Sequence, residues 1–170
     1  MSPEHQSESN LKGRMAEQLV YDLLRQSGNE VYRIGMEFSL PENERVRTAL
    51  SKSALVGDRI RSTPDFLVID KLGTAHLVEV KFRWNPEGHE TDYKRIERVR
   101  TAWPETLIVF VNCSERPYVR VSKYPFLDEN NDVVSESIER FKQFRVTKKI
   151  LQETEALVEK YLKPTLKARE

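Results

Sequence analysis

Three charged residues stand inside two apolar runs of strand length. Asp65 opens "DFLVID", and Glu79 and Lys81 fall within "HLVEVKFR". Side chains along a strand alternate between its faces, so His76, Val78, Val80 and Phe82 share one side. Glu79, Lys81 and Arg83 share the other. The turn "KLG" joins the runs into a hairpin, which brings Asp65 within side-chain reach of Glu79. Two carboxylates that close repel, and a divalent cation relieves the repulsion most simply. Hard oxygen ligands suit Mg²⁺, with Mn²⁺ as a substitute, and not zinc. A lysine beside them can polarise a water or stabilise charge developing on a phosphate.

Several other elements must position these residues. "NLKGRMAEQLVYDLLRQSG" carries Met15/Ala16, Leu19/Val20, Leu23/Leu24 and Ser27 at helical spacing, with Asn10 as a cap and Gly28 as a stop. "EVYRIG" reads as a short strand. Residues 36–61 allow either a helix beginning after Pro41 or an ordered loop. After the hairpin, "WNPEGHE" leads into a helix, "TDYKRIERVRTAW", stopped before Pro104. "TLIVFVN" is the most apolar run of the chain and reads as a central strand, with "YVRVS" a shorter one after it. Beyond the polar turn "DENND", "VTKKILQETEALVEKYL" forms an amphipathic helix closed by Pro164. The order predicts a single-domain α/β protein with a mixed sheet flanked by helices. Hairpin-linked strands are antiparallel, and the strand after the helix can return parallel.

A chain of 170 residues is most economically one domain. No apolar stretch approaches the roughly 18 residues needed to span a bilayer. The opening "MSPEHQSESN" lacks the basic and apolar regions of a signal peptide, and the lone Cys113 excludes an internal disulfide framework. A cytoplasmic protein with no membrane partner is expected. A net charge of +1 excludes a generic polycation, so any phosphate contact must come from local clusters. One holds Arg45, Arg47, Lys52, Arg59 and Arg61 against Asp58; another holds Lys94, Arg95, Arg98 and Arg100 against Glu97. Each cluster by itself reads equally as a solvated helix face. No glycine-rich phosphate loop or zinc pattern is present.

Pro64-Asp65, a hairpin, then Glu79-Val80-Lys81 resembles the motif of the PD-(D/E)XK nuclease superfamily. The element order from Leu11 to Val121 is similar to its restriction endonuclease-like core (αβββαβ), here with an extra C-terminal helix. The resemblance implies a polar tail (1–10), a nuclease-like core (11–125) and a helical extension (126–170) that packs on the core or forms a dimer interface. It makes Asp65 and Glu79 the metal ligands, Lys81 the water-orienting group and Glu17, on the first helix, an accessory ligand. It implies a Mg²⁺-dependent DNA endonuclease in restriction, recombination or repair, closest to the Holliday-junction-resolvase-like small nucleases. A homodimer is suggested, since cutting both strands takes two sites. Arg45, Arg47, Lys52, Arg59, Arg61, Lys94 and Arg95 would position the DNA backbone. The segment 37–62 departs from the smallest members, which bears on the substrate and not on the chemistry. The alternative is a catalytically silent module that binds nucleic acid or a protein; the intact Asp-Glu-Lys set argues against it.

Overall fold

Helix α1 (Pro3–Gln26) begins ahead of the expected Asn10 cap. Proline in a first turn removes no helical hydrogen bond, and nothing in "EHQSESN" stops a helix. Its C-terminus closes as expected at Gly28, which adopts φ +83°. The Gly28 amide donates to Arg25 O (2.9 Å) and the Asn29 amide to Leu24 O (3.2 Å), the paired bonds of a Schellman cap. The computed structural model describes residues 3–40, 43–83, 96–99, 101–129 and 133–163.

Among the described residues, six strands form one open mixed sheet: β1 (Glu30–Arg33), β2 (Phe66–Ile69), β3 (Ala75–Arg83), β4 (Leu107–Asn112), β5 (Val119–Ser122) and β6 (Glu136–Ser137). Their spatial order follows the chain, β1 to β6. Only β3 and β4 run parallel, and the remaining pairs are antiparallel. A parallel pair needs a crossover. Residues 96–99 and 101–102, helical in the structure (α5), lie on it. Thus the "TLIVFVN" run is an inner strand, as its apolarity requires.

The segment between β1 and β2 is helical, which resolves the choice left open by the sequence. It holds α2 (Met36–Ser39), α3 (Glu44–Lys52) and α4 (Ala54–Arg61). The Asn43 side chain accepts from the Val46 amide at 2.8 Å and caps α3. Past β5 the chain adds a strand the sequence did not announce. β6 and two 3₁₀ turns, Ile138–Arg140 and Lys142–Phe144, precede α6 (Lys148–Leu157). The helix continues as a wider π-type turn over Val158–Leu162.

The main core lies on one face of the sheet. There Ala16, Val20, Leu23 and Leu24 of α1 meet Phe66, Val68, Val78, Val80, Val109 and Val111, joined by Phe144, Leu151, Val158 and Leu162 from the C-terminal part. The other face carries a smaller cluster of Ile96, Val99, Ile108, Phe110 and Phe126. Among the described residues no helix is long and apolar enough to cross a membrane.

Candidate active site

Asp65 sits where β2 and β3 stop pairing through their backbones. The last register pair is Phe66 with Val78, so the next step sets Asp65 opposite Glu79. The Asp65 carboxylate takes over the ladder, accepting from the Val80 amide at 2.7 Å. Its carbonyl accepts from the Ile34 amide at 3.0 Å, which ties it to the end of β1. Pro64 has no amide to donate and cannot extend the strand. One residue therefore carries a backbone role and a charge.

Strand alternation places Glu79 and Lys81 as the sequence predicts. Val78 and Val80 enter the main core, while Glu79 and Lys81 stand on the opposite face, level with Ile108 and Phe110 of β4. Glu79 is 8 % exposed and bonds the Lys81 ammonium through its Oε1. The Asp65 carboxyl is pushed well above the ordinary carboxylate range. Burial is the largest cause, followed by the Glu79 carboxylate; the Lys81 ammonium and the Val80 amide oppose them, and Glu17 adds to the rise. Asp65, Glu79 and Lys81 thus share one locus. Glu17, half-buried on α1 between Ala16 and Val20, is near enough for its charge to act on Asp65.

Among the described residues, no three or more His, Cys, Asp or Glu side chains are grouped so as to hold a metal ion. The donor chemistry of the smaller set nonetheless suits one. Asp65 and Glu79 are hard oxygen donors, and the Glu79 charge raises the cost of ionising Asp65. Lys81 now supplies the counter-charge for Glu79.

The basic residues divide. Arg45, Arg47 and Lys52 are exposed on α3. Arg59 lies with its guanidinium 5.1 Å from the Trp103 ring centre, and its carbonyl accepts from Trp103 Nε1 at 3.3 Å. Arg61 pairs with Asp58 at 2.8 Å and reaches the Leu50 carbonyl at 3.5 Å. Both sit on α4 and brace it, Arg59 against Trp103 and Arg61 against α3. Lys94 and Arg95 lie outside the described residues.

Sequence reasoning missed one positioning residue. Arg33, opposite Phe66 in the register, lies with its guanidinium 4.8 Å from the Tyr21 ring centre, 5.2 Å from Phe38 and 5.3 Å from Phe66. It also donates to Gln18 Oε1 at 2.7 Å. This binds α1, α2 and β2 around the strand end that fixes Asp65. Its partners are scattered along the chain, so no local pattern announces it.

No family model, curated protein or solved structure matches this chain.

Proposed function

We propose that this chain is a metal-dependent phosphodiesterase of the PD-(D/E)XK type that hydrolyses a nucleic-acid backbone, with DNA the substrate the resemblance favours. The observation that carries the reading is the convergence of Asp65, Glu79 and Lys81 at the mouth of the β2–β3 hairpin, with Asp65 held in an electrostatically costly state. Sites of chemistry are where such costs collect. Helix α1, the antiparallel β1–β2–β3 meander, a helical crossover and a parallel β4 also follow the order expected of that nuclease core.

Asp65 and Glu79 would hold a Mg²⁺ ion, with Glu17 at its margin. A divalent cation at such a site stabilises charge on the attacking and leaving oxygens of a phosphodiester. Lys81 presents an ammonium whose attraction grows as negative charge develops on the phosphate. The Val80 amide keeps Asp65 from swinging away when its charge changes. Restriction, recombination and repair all fit this chemistry, as does a dimer that places two sites on two strands.

A module that binds nucleic acid without cutting it is the second reading. It is favoured by the Glu79 carboxylate being taken by Lys81. One assay separates the two. Supercoiled plasmid incubated with Mg²⁺ or Mn²⁺ should be nicked by the parent, and Lys81→Ala should slow nicking by about 10²-fold or more, the usual loss for one preorganised electrostatic group. DNA affinity should stay within a few-fold. A parent that binds DNA and never nicks supercoiled, linear or branched forms hands the lead to the second reading.

A further inference from the structure

Helix α3 buries none of its residues. Val46 and Leu50 are its half-buried positions. The Leu50 carbonyl lies against Gly57 of α4, where any Cβ would collide with it. The outer face is built differently. Arg45, Thr48, Ala49 and Lys52 follow the i, i+3, i+4, i+7 spacing of one helical face, are all exposed, and line a shallow cleft together with Glu44. Seven residues separate Arg45 from Lys52, which is about 10 Å along the axis at 1.5 Å per residue.

We propose that α3 is the element that seats this chain on duplex DNA, lying in the major groove with Arg45 and Lys52 on its phosphate walls. A helix about 10–12 Å across fits a B-form major groove about 12 Å wide. Arg45 and Lys52, near the two ends of the face, have the reach to meet phosphates along the groove edge, and the small Thr48 and Ala49 between them let the backbone approach the base edges. Neither carries a bidentate donor pair, so the contact fixes position and reads little sequence. The A-form groove of duplex RNA is deep and narrow and does not admit side chains in this way, so α3 selects DNA. The inference rests on the nuclease reading for its purpose: α4 leads from α3 directly to Pro64 and Asp65, and a helix of its length spans about 12 Å. A duplex held on α3 is thereby tethered, through α4, to the strand entry that carries Asp65. Glu44 lines the same cleft and opposes a phosphate there.

Fluorescence anisotropy in EDTA, which prevents cleavage, tests the docking without the chemistry. The probes are a short labelled duplex DNA, the RNA duplex of the same sequence, and single-stranded DNA. The duplex DNA should bind about tenfold or more tightly than either competitor. Ala49→Glu, which sets an acid in the centre of the face, should weaken it by about tenfold or more. Glu44→Gln should tighten it several-fold, and both variants should melt like the parent. Equal affinity for duplex RNA or single strands, or parent-like binding by both variants, overturns the assignment. Plasmid nicking by the parent keeps the two ideas apart: nicking with unaltered α3 variants sinks the docking alone. Selective duplex binding through α3 without nicking sinks only the hydrolysis.

Discussion

Asp65 supports the sheet and burdens it at once. Its carboxylate receives the Val80 amide, yet burial and Glu79 press it toward the neutral form. An acid whose folded pKa lies above its unfolded value binds more protons folded than unfolded. Its contribution is thus most favourable below the unfolded value of about 3.9 and declines as pH rises through the folded one. The cost accrues as pH rises above the unfolded value, so at pH 7 the unfolded chain, ionised there, is favoured by it. Asparagine keeps an acceptor for the Val80 amide and carries no charge. Asp65→Asn should therefore melt above the parent in chelator at pH 7, by a few degrees, and lack the parent's loss of stability as pH rises above about 4. The order reverses with a cation. Mn²⁺ at a hundredfold excess over Kd stabilises a binder by about 2.7 kcal/mol, or about 5–10 °C for a chain of this size, and only the parent should gain it. Thermal melts with EDTA and with Mn²⁺ at several pH values read both effects. An asparagine variant that melts below the parent in chelator at pH 7 would show that the Asp65 charge is well satisfied.

The β2–β3 hairpin owes its tight turn to another acid. Asp70 Oδ1 accepts from the Leu72 amide at 2.8 Å and the Thr74 amide at 3.0 Å, while its Oδ2 meets His76 Nε2 at 3.0 Å. These bonds, the one to His76 foremost, lower the Asp70 pKa, so the sign is opposite to that of Asp65. The stability it gives is present above the unfolded value of about 3.9 and is lost as pH falls through the depressed folded one. Asp70→Ala should lower the melting temperature at pH 7 and remove part of the parent's acid sensitivity. Asp70→Asn, which keeps a carbonyl for the turn amides, should recover most of the loss; equal melting of parent and alanine variant would leave the turn to Gly73 alone. Elements whose signals are local and periodic were legible beforehand. The alternation in "HLVEVKFR" located Glu79 and Lys81, the "KLG" turn set the hairpin, and the apolar "TLIVFVN" run marked an inner strand. What escaped was non-local. α3 buries nothing, so Val46 and Leu50 are too sparse a stripe to declare a helix. β6 is two residues long and exists through its pairing with β5. Lys12 is only 3 % exposed although it is a lysine, and the acceptor role of Asp65 toward Val80 depends on where two strands part.

Both ends of the chain close the core on the α1 side of the sheet. Ala16, Val20, Leu23 and Leu24 come from α1; Ile138, Phe144, Leu151, Val158 and Leu162 come from the last part of the chain. Asn29 binds the two ends, donating to Leu24 O and Phe144 O at 2.9 Å each. Glu155, buried on α6, accepts from the Tyr118 amide at 2.8 Å, and Arg116 pairs with Glu159 at 2.8 Å. The residues that do the proposed chemistry all precede this C-terminal part, so a fragment of residues 1–135 retains Asp65, Glu79, Lys81 and α3. It should still fail. With Phe141 and Val146 the cut removes seven buried apolar side chains, which at about 1.5–3 kcal/mol each amount to about 10–21 kcal/mol, at least the size of a domain's whole net stability. The cut also strips β5 of its partner β6 and leaves the Tyr118 amide without its carboxylate. Circular dichroism of the fragment should show a broad, non-cooperative melt, and plasmid nicking should be absent. The full-length Phe144→Ala variant is the milder form of the same test: losing a fully buried phenylalanine costs about 3–5 kcal/mol, a fall of about 6–20 °C in melting temperature. A fragment that melts as sharply as the parent, together with a Phe144→Ala variant that melts near it, would make residues 136–162 an appendage to a core complete without them.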